Sequence, residues 1–303
     1  MKSLQLLAPL VVALVCVPAP AWAQSVLGSE LSSFAVLGAS AVTNTGATTL
    51  TGNLGVSNNA SLTGITGFFG TLANEGPGTA TGAIHQGDAF AITADGQLVN
   101  AMTSLGLMGP GTLLGVDLVG LTLAPGVYTV AAGVSNLTGR LTLDGGGNAN
   151  AFWVFQMAST LITSPGSFVD VINTGAGAGV YWNVGSSATL DTGTTFEGNI
   201  LASASISFND AVTLSCGRAL AHTGAVTMIG DTVNAAGCIG TGEEGSNGLS
   251  GGLNILAVGG TATPREFAPV AAIPEPETYA LMLAGLGLLG LVTRSKKRHI
   301  AQS

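Results

Sequence analysis

From Ala151 to Asn234 the chain writes one short unit several times, and this repeat constrains the fold more than any other feature. The units open on FWVF at 152–155, VYWN at 180–183, NILA at 199–202 and RALA at 218–221. A second alternating segment follows each opening, at 159–163, 188–191, 205–208 and 225–228, and a third at 167–171, 194–197, 211–214 and 231–234. Trp182, Leu201 and Leu220 stand 19 residues apart, whereas Trp153 precedes Trp182 by 29, with the surplus in the glycine-rich stretch 175–179. Three strands and about 19 residues per turn are what a triangular β-solenoid needs. The fold class expected is therefore mainly β, a solenoid over residues 24–240.

The stretch before the repeat fits the same plan in part. Alternation at 42–56 reads as a solenoid-like piece preceding the main stack, and 59–87 as a loop or cap. Phe90, Leu98, Ala101, Met102 and Leu105 recur at three- and four-residue spacing, which predicts one α-helix over about 88–105. Asp88 is its expected N-cap and Gly106 its expected C-cap. This helix is read as a lid on one solenoid face. After Cys238 the pattern is lost, and residues 241–272 read as a flexible Gly/Ser/Pro-rich linker.

Both ends read as address labels. Residues 1–23 carry Lys2, an apolar run from Leu6 to Val17 and the small-residue site Ala21-Trp22-Ala23, a secretory signal peptide cut before Gln24. At 279–293 lies an apolar run short for a membrane span, which needs about 20 residues. The basic cluster at 294–298 would hold it on the cytoplasmic side. Export makes sense of the cysteines. Cys16 leaves with the signal peptide, and Cys216 and Cys238 most simply pair. Such a bridge contributes ~3 kcal/mol in the chain-entropy model and would staple the last, one-sided turn. A two-cysteine metal site would need a nearby His or Cys, and none is present.

Charge excludes several functions. Between Gln24 and Ala272 there are 14 acidic residues and three basic ones, Arg140, Arg218 and Arg265, with no lysine. Such a chain has no footprint for nucleic acid or anionic lipid. Catalysis finds little support either. The G-x-S-x-G match at 248–252 lacks the strand-then-helix context of a nucleophile elbow. His85, His222 and His299 form no metal or base pattern, and His222 reads as a solvated turn residue. The run from Asp144 to Asn148 lacks the regular spacing of calcium-binding repeats. The acids Asp170, Asp191, Glu197, Asp210 and Asp231, all expected to point outward, are spread over separate corners and strands rather than paired. The chain is read as no enzyme, with no cofactor and no metal.

Alternation also decides which side chains leave the solenoid. In the second segment Leu161, Leu190, Ile206, Phe208, Val226 and Met228 point in, and Thr160, Thr189, Ser205, Ser207 and Thr227 point out. Thr142 is expected to extend this face, with Thr49 and Thr51 joining from the first piece. The third segment offers the less uniform set Thr195, Glu197, Thr213 and Thr232. Threonine suits any exposed strand, but an uncharged face across five turns is unusual on an exported protein. A flat array of methyl and hydroxyl groups matches an ordered water lattice better than a sugar or a peptide.

Two resemblances add to this reading. IPEPETYA at 273–280, the apolar run and the basic end resemble the PEP-CTERM sorting signal, with Pro274, Glu275 and Pro276 as its signature. That resemblance implies processing by an exosortase-type membrane enzyme in a polysaccharide-making bacterium. It also implies transient inner-membrane anchoring through residues 273–303 alone, then a place at the cell surface or outside the cell. FAVLG at 34–38, GNLGV at 52–56, LAPGVY at 123–128, LDGGGN at 143–148, FWVFQ at 152–156 and GRALA at 217–221 are similar to the microbial ice-binding protein family. This resemblance covers about residues 27–238. It implies a discontinuous right-handed β-solenoid with a long helix alongside, binding an ice crystal surface through one flat face. The family's loose Thr-Ala/Gly-x-Thr/Asn pattern is met at 45–48 and 192–195. The alternative is a surface or matrix adhesin associated with exopolysaccharide.

Overall fold

The computed structural model describes residues 25–58, 61, 63–71, 75–132, 136–235, 248–255 and 259–265. Each repeat lays one strand in each of three sheets. Gly179–Val184 lies in a nine-stranded sheet, Ala188–Leu190 in a six-stranded sheet and Thr195–Glu197 in an eight-stranded sheet. The next unit repeats the circuit with Asn199–Ala202, Ile206–Phe208 and Thr213–Ser215. Every pairing within these three sheets is parallel, as stacked turns require.

Alternation fills the space between the sheets. Leu161, Leu190, Ile206, Phe208, Val226 and Met228 are all buried. Phe155 stacks on Trp182 at 3.9 Å between ring centres, flanked by Tyr128 and Phe196, so an aromatic pile runs through several turns. The two indoles spend their polar edges on carbonyls: Trp153 donates to Leu123 O and Trp182 to Glu197 O.

The order of turns in space is not the order in sequence. Phe34–Gly38 pairs with Ala219–Ala221, Ala41–Thr45 with Ala225–Ile229, and Thr49–Thr51 with Thr232–Asn234. The first piece therefore continues the stack beyond its last repeat instead of preceding it. Residues 59–87, expected as a loop or cap, contribute the strands Ile65–Thr66, Thr79–Ala80 and Ile84–Gln86, a further turn on the same end. The turn that carries Cys216 is thus sandwiched, not one-sided. Cys216 is buried and disulfide-bonded. Cys238 lies outside the described residues.

Helix α1 (Ala89–Gly106) returns the chain from Ile84–Gln86 at one edge of the nine-stranded sheet to Thr112–Leu114 at the other. Asp88 caps it by accepting the Ala91 N–H at 2.9 Å. Gly106 falls inside the helix, and Leu107 ends it in a helical conformation. Ala91, Ala94, Leu98, Ala101 and Leu105 form the buried stripe, packed on Phe34, Leu37, Val154, Tyr181, Leu201 and Leu220. Gln156 donates to Leu105 O and Asn183 to Met102 O, satisfying carbonyls of the last turn. His222, expected as a solvated corner residue, is half-buried and bonds Asp95 of the helix at 3.0 Å.

The expected linker is partly built into the fold. Leu253–Ile255 and Ala262–Pro264 form an antiparallel hairpin whose Leu253, Ile255 and Ala262 join the helix-side core. Its apolar residues alternate among glycines, so composition hides a strand that only the neighbouring sheet makes worth forming. Among the described residues no helix is long and apolar enough to cross a membrane. The signal peptide, the run at 279–293 and the sorting motif lie outside the described residues.

Candidate functional site

Of the three sheets, the nine-stranded one is covered by α1 and the hairpin. The six- and eight-stranded sheets remain as candidate faces, and each carries a column of side chains in register.

On the six-stranded sheet the column runs Ile162, Thr189, Ser207, Thr227, Thr43 and Thr66, each paired with the next. Rungs of a parallel sheet lie about 4.8 Å apart. Beneath it runs the inward column Leu161, Ala188, Ile206, Val226, Val42 and Ile65, all buried. The five hydroxyls from Thr189 to Thr66 make no hydrogen bond to another described residue, so they are open to solvent water. Thr160 and Ser205 stand just before their strands, beside Ser187. The Ser205 hydroxyl accepts the Ala225 N–H, and Ser187 accepts the Ser205 N–H. That flank is therefore part of the backbone ladder.

Thr49, Thr51 and Thr142 do not belong to this face. Thr49–Thr51 and Arg140–Asn148 are strands of the eight-stranded sheet. The eight expected residues are thus divided between two sheets. Both sheets show the same in–out alternation, so periodicity identifies an outward residue without saying which face it leaves. The column also holds Thr43 and Thr66, which the sequence expectation does not include. Val42-Thr43-Asn44 copies the rhythm of Val226-Thr227-Met228, and that likeness was the available signal.

The eight-stranded sheet has its own column: Arg140, Phe168, Thr195, Thr213, Thr232, Thr49 and Thr79. Five threonines are consecutive, but charge interrupts the surface. The Arg140 guanidinium sits 4.2 Å over the Phe168 ring and bonds Asp170 at 2.8 Å. Glu197 folds back to accept the Val171 N–H at 2.8 Å and is buried. The third segment is thus less uniform, as its sequence indicates.

Fixed polar contacts make the corner between these two sheets. Asn209 donates to Asp191 at 2.7 Å. Asp231, expected to point outward like Glu197, is likewise buried, because its carboxylate turns in to accept the N–H groups of Val212 and Ile229 at 2.8 and 2.7 Å. Burial nevertheless pushes Asp231 up to about 6, with Asp210 adding to the rise and the two N–H bonds opposing it. Ala211 occupies the left-handed region at φ 59°, where Gly193 and Gly230 stand in the neighbouring turns at φ 66°.

Comparison with known proteins agrees with this architecture. An ice-binding-like family model matches residues 36–234, and a PEP-CTERM protein-sorting motif matches residues 272–298. An ice-binding protein of Nostoc sp. is 40% identical over 275 residues, covering 90% of this chain and 87% of that one. One from Colwellia sp. is 28% identical, covering 68% and 82%. The crystal structure of an ice-binding protein from the Antarctic ascomycete Antarctomyces psychrotrophicus superposes with a TM-score of 0.61 at 35% identity, covering 70% of this chain and 98% of that one. An ice-binding protein from an Antarctic biological consortium gives 0.61 at 37% identity, covering 76% and 96%. Stacked parallel turns, a first piece seated on the last repeat, and a helix along one sheet are the frame on which these matched residues lie: the chain belongs to the ice-binding-like family.

Proposed function

We propose that the chain is an exported, non-catalytic protein that binds ice crystals through the outward side of its six-stranded sheet. The observation that carries this reading is the five-rung column of Thr189, Ser207, Thr227, Thr43 and Thr66. These side chains are short, four of the five are β-branched, and the parallel ladder fixes their backbone. Ordering them against a lattice therefore costs little conformational entropy. The column itself carries no charge that would hold a competing hydration shell, and its methyl groups can be covered by ordered water. Thr160 and Ser205 flank the column. Thr49, Thr51 and Thr142 belong with the alternative, eight-stranded face.

Maturation in this reading removes the signal peptide before Gln24 and pairs Cys216 with Cys238. It anchors the chain transiently in the inner membrane through the segment at 279–293, and an exosortase-type enzyme then acts on the sorting segment. The test is thermal hysteresis and ice-recrystallisation inhibition by the 24–272 fragment. Thr189→Tyr with Thr227→Tyr is expected to remove activity, and Thr213→Tyr to leave it. The reverse pattern would transfer the site to the eight-stranded sheet. An inactive parent fragment retained in extracellular matrix would favour the exopolysaccharide-associated role instead.

A further inference from the structure

The hydroxyl column of the six-stranded sheet is flanked on both sides, and the flanks divide the face into unlike halves. Past the buried Leu190, Phe208 and Met228, alternation sends Asp191, Asn209 and Ile229 outward, and Thr45 pairs with Ile229. On the other side Ser187 and Ser205 come just before the inward Ala188 and Ile206, and Ala225 pairs with Ala41. Thr227 and Thr43 therefore have neighbours that are all short or apolar: Ala225, Ala41, Ile229 and Thr45. Ile229 is 43% exposed, an apolar side chain left in water on this half of the face.

The half around Thr189 and Ser207 differs by one charge. Asp191 is half-buried and stands two residues, about 6.6 Å, along the strand from Thr189. Its Oδ1 accepts the Asn209 amide at 2.7 Å and the Thr192 N–H at 2.8 Å, and its own N–H donates to Thr163 Oγ1 at 2.9 Å. The Asn209 bond, and after it the Thr192 N–H, hold the carboxyl below its ordinary value, so it is ionised at neutral pH. Among the described residues no cation pairs with it: Arg140 is engaged by Asp170 and Arg218 is buried elsewhere. A fixed carboxylate keeps a shell of water oriented to its charge. Stripping or rebuilding that shell against a lattice costs more than ordering water over methyl groups.

We infer that Asp191 sets the limit of the ice contact. The productive area is the half built on Thr227, Thr43 and Thr66, and the carboxylate holds the Thr189 end of the column back from the crystal. This rests on the ice-binding reading above and divides the face that reading assigns. The contact is then made mainly by the first piece of the chain together with the last repeat on which it is seated, and the earlier repeats serve as scaffold.

The test uses the full chain, recovered after export, with thermal hysteresis and ice-recrystallisation inhibition compared at equal concentration. Asp191→Asn keeps an oxygen for both hydrogen bonds and removes the charge; it is expected to raise activity several-fold. Asp210→Asn removes the same charge one residue on, at the corner where that carboxylate lies against Gly230, and is expected to change nothing. Thr189→Tyr alone is expected to cost little in the parent and to erase the gain of Asp191→Asn. Thr45→Asp, which brings a carboxylate into the uncharged half, is expected to lose most of the activity, whereas Thr45→Asn retains it. Unchanged or lower activity in Asp191→Asn, an equal gain from Asp210→Asn, or a loss from Thr189→Tyr as large as that from Thr43→Tyr would each overturn the inference and leave the ice reading standing. A parent and an Asp191→Asn protein that both lack activity would remove the ice reading and the inference together.

Discussion

Thr43 stands directly beside Thr227 in the six-stranded sheet, although nearly the whole repeated region lies between them in the chain. The pair joins the first piece to the last repeat, and through it the hydroxyl column passes from the main stack into the N-terminal turns without a break. A regular surface longer than the sequence repeat follows from this one seam.

The seam makes Thr43 as important as Thr227. Thr43→Tyr is expected to remove most of the ice-recrystallisation inhibition of the fragment, to the same degree as Thr227→Tyr. Both positions are on the solvent side, so stability should change by no more than ~0.5 kcal/mol. Denaturant unfolding measured beside the activity assay checks that the loss is one of surface and not of fold.

Leu220 lies between Leu37 and Leu201 on the nine-stranded sheet, fully buried under α1. Leu220→Ala should cost ~2–5 kcal/mol, because the three packed layers around it cannot close on the space. Hydrogen exchange is expected to rise first in α1, which depends on this stripe for its docking.

Arg218, itself buried, donates to four backbone or side-chain acceptors, and the bonds to Asn199 Oδ1, Gly248 O and Ala235 O are buried. Arg218→Met is expected to destabilise the protein by ~3 kcal/mol or more, since the acceptors stay buried while their donor is lost. Exchange in residues 248–255 should accelerate ahead of 179–184. Equal acceleration in both segments would show that the arginine serves the stack rather than the attachment of residues 248–255.

Ala211 pays for a left-handed backbone that its neighbours Gly193 and Gly230 adopt freely. Ala211→Gly relieves ~1–2 kcal/mol of backbone strain and loses part of it again to chain entropy, for a net gain of ~0.5–1 kcal/mol. A raised thermal midpoint with unchanged ice activity is the expected result.

Acid stability should show two opposed windows. Asp231 is raised from 3.8 to about 6 in the fold, so its contribution to stability is fully present below 3.8 and is lost as pH rises through 6. Asp88 and Asp117 behave the other way. Burial pushes each up, but hydrogen bonds outweigh it, from Ala91 N–H and His85 in the first and from Thr138 and the Val119 N–H in the second, and hold both below 3.8. Their contribution is present above 3.8 and is lost as pH falls through their lowered values. Chemical denaturation from pH 7 to 3 should therefore show Asp231 adding stability down to about 4, before the other carboxylates withdraw theirs. In Asp231→Asn the rise between 6 and 4 is expected to disappear.

The sequence by itself determined the turn. The 19-residue spacing, three alternating segments and small corner residues specify stacked parallel strands, and alternation at 188–190, 206–208 and 226–228 names which side chains are inside. The α1 stripe was legible for the same reason, because burial of one helix side imposes a period of its own. Sheet membership was not legible. Thr49, Thr51 and Thr142 alternate just as Thr189 and Thr227 do, and a corner can send an outward residue to either open face without altering that rhythm. Nor could composition show that residues 248–255 and 259–265 are fastened down, since their bonds go to backbone and to Arg218 from distant turns. The neighbours of Thr43 and the anchorage of residues 248–255 were decided only by the tertiary structure. Periodicity is a local property of the chain, whereas the seam between first piece and last repeat is held by contacts that exist only once the turns have stacked.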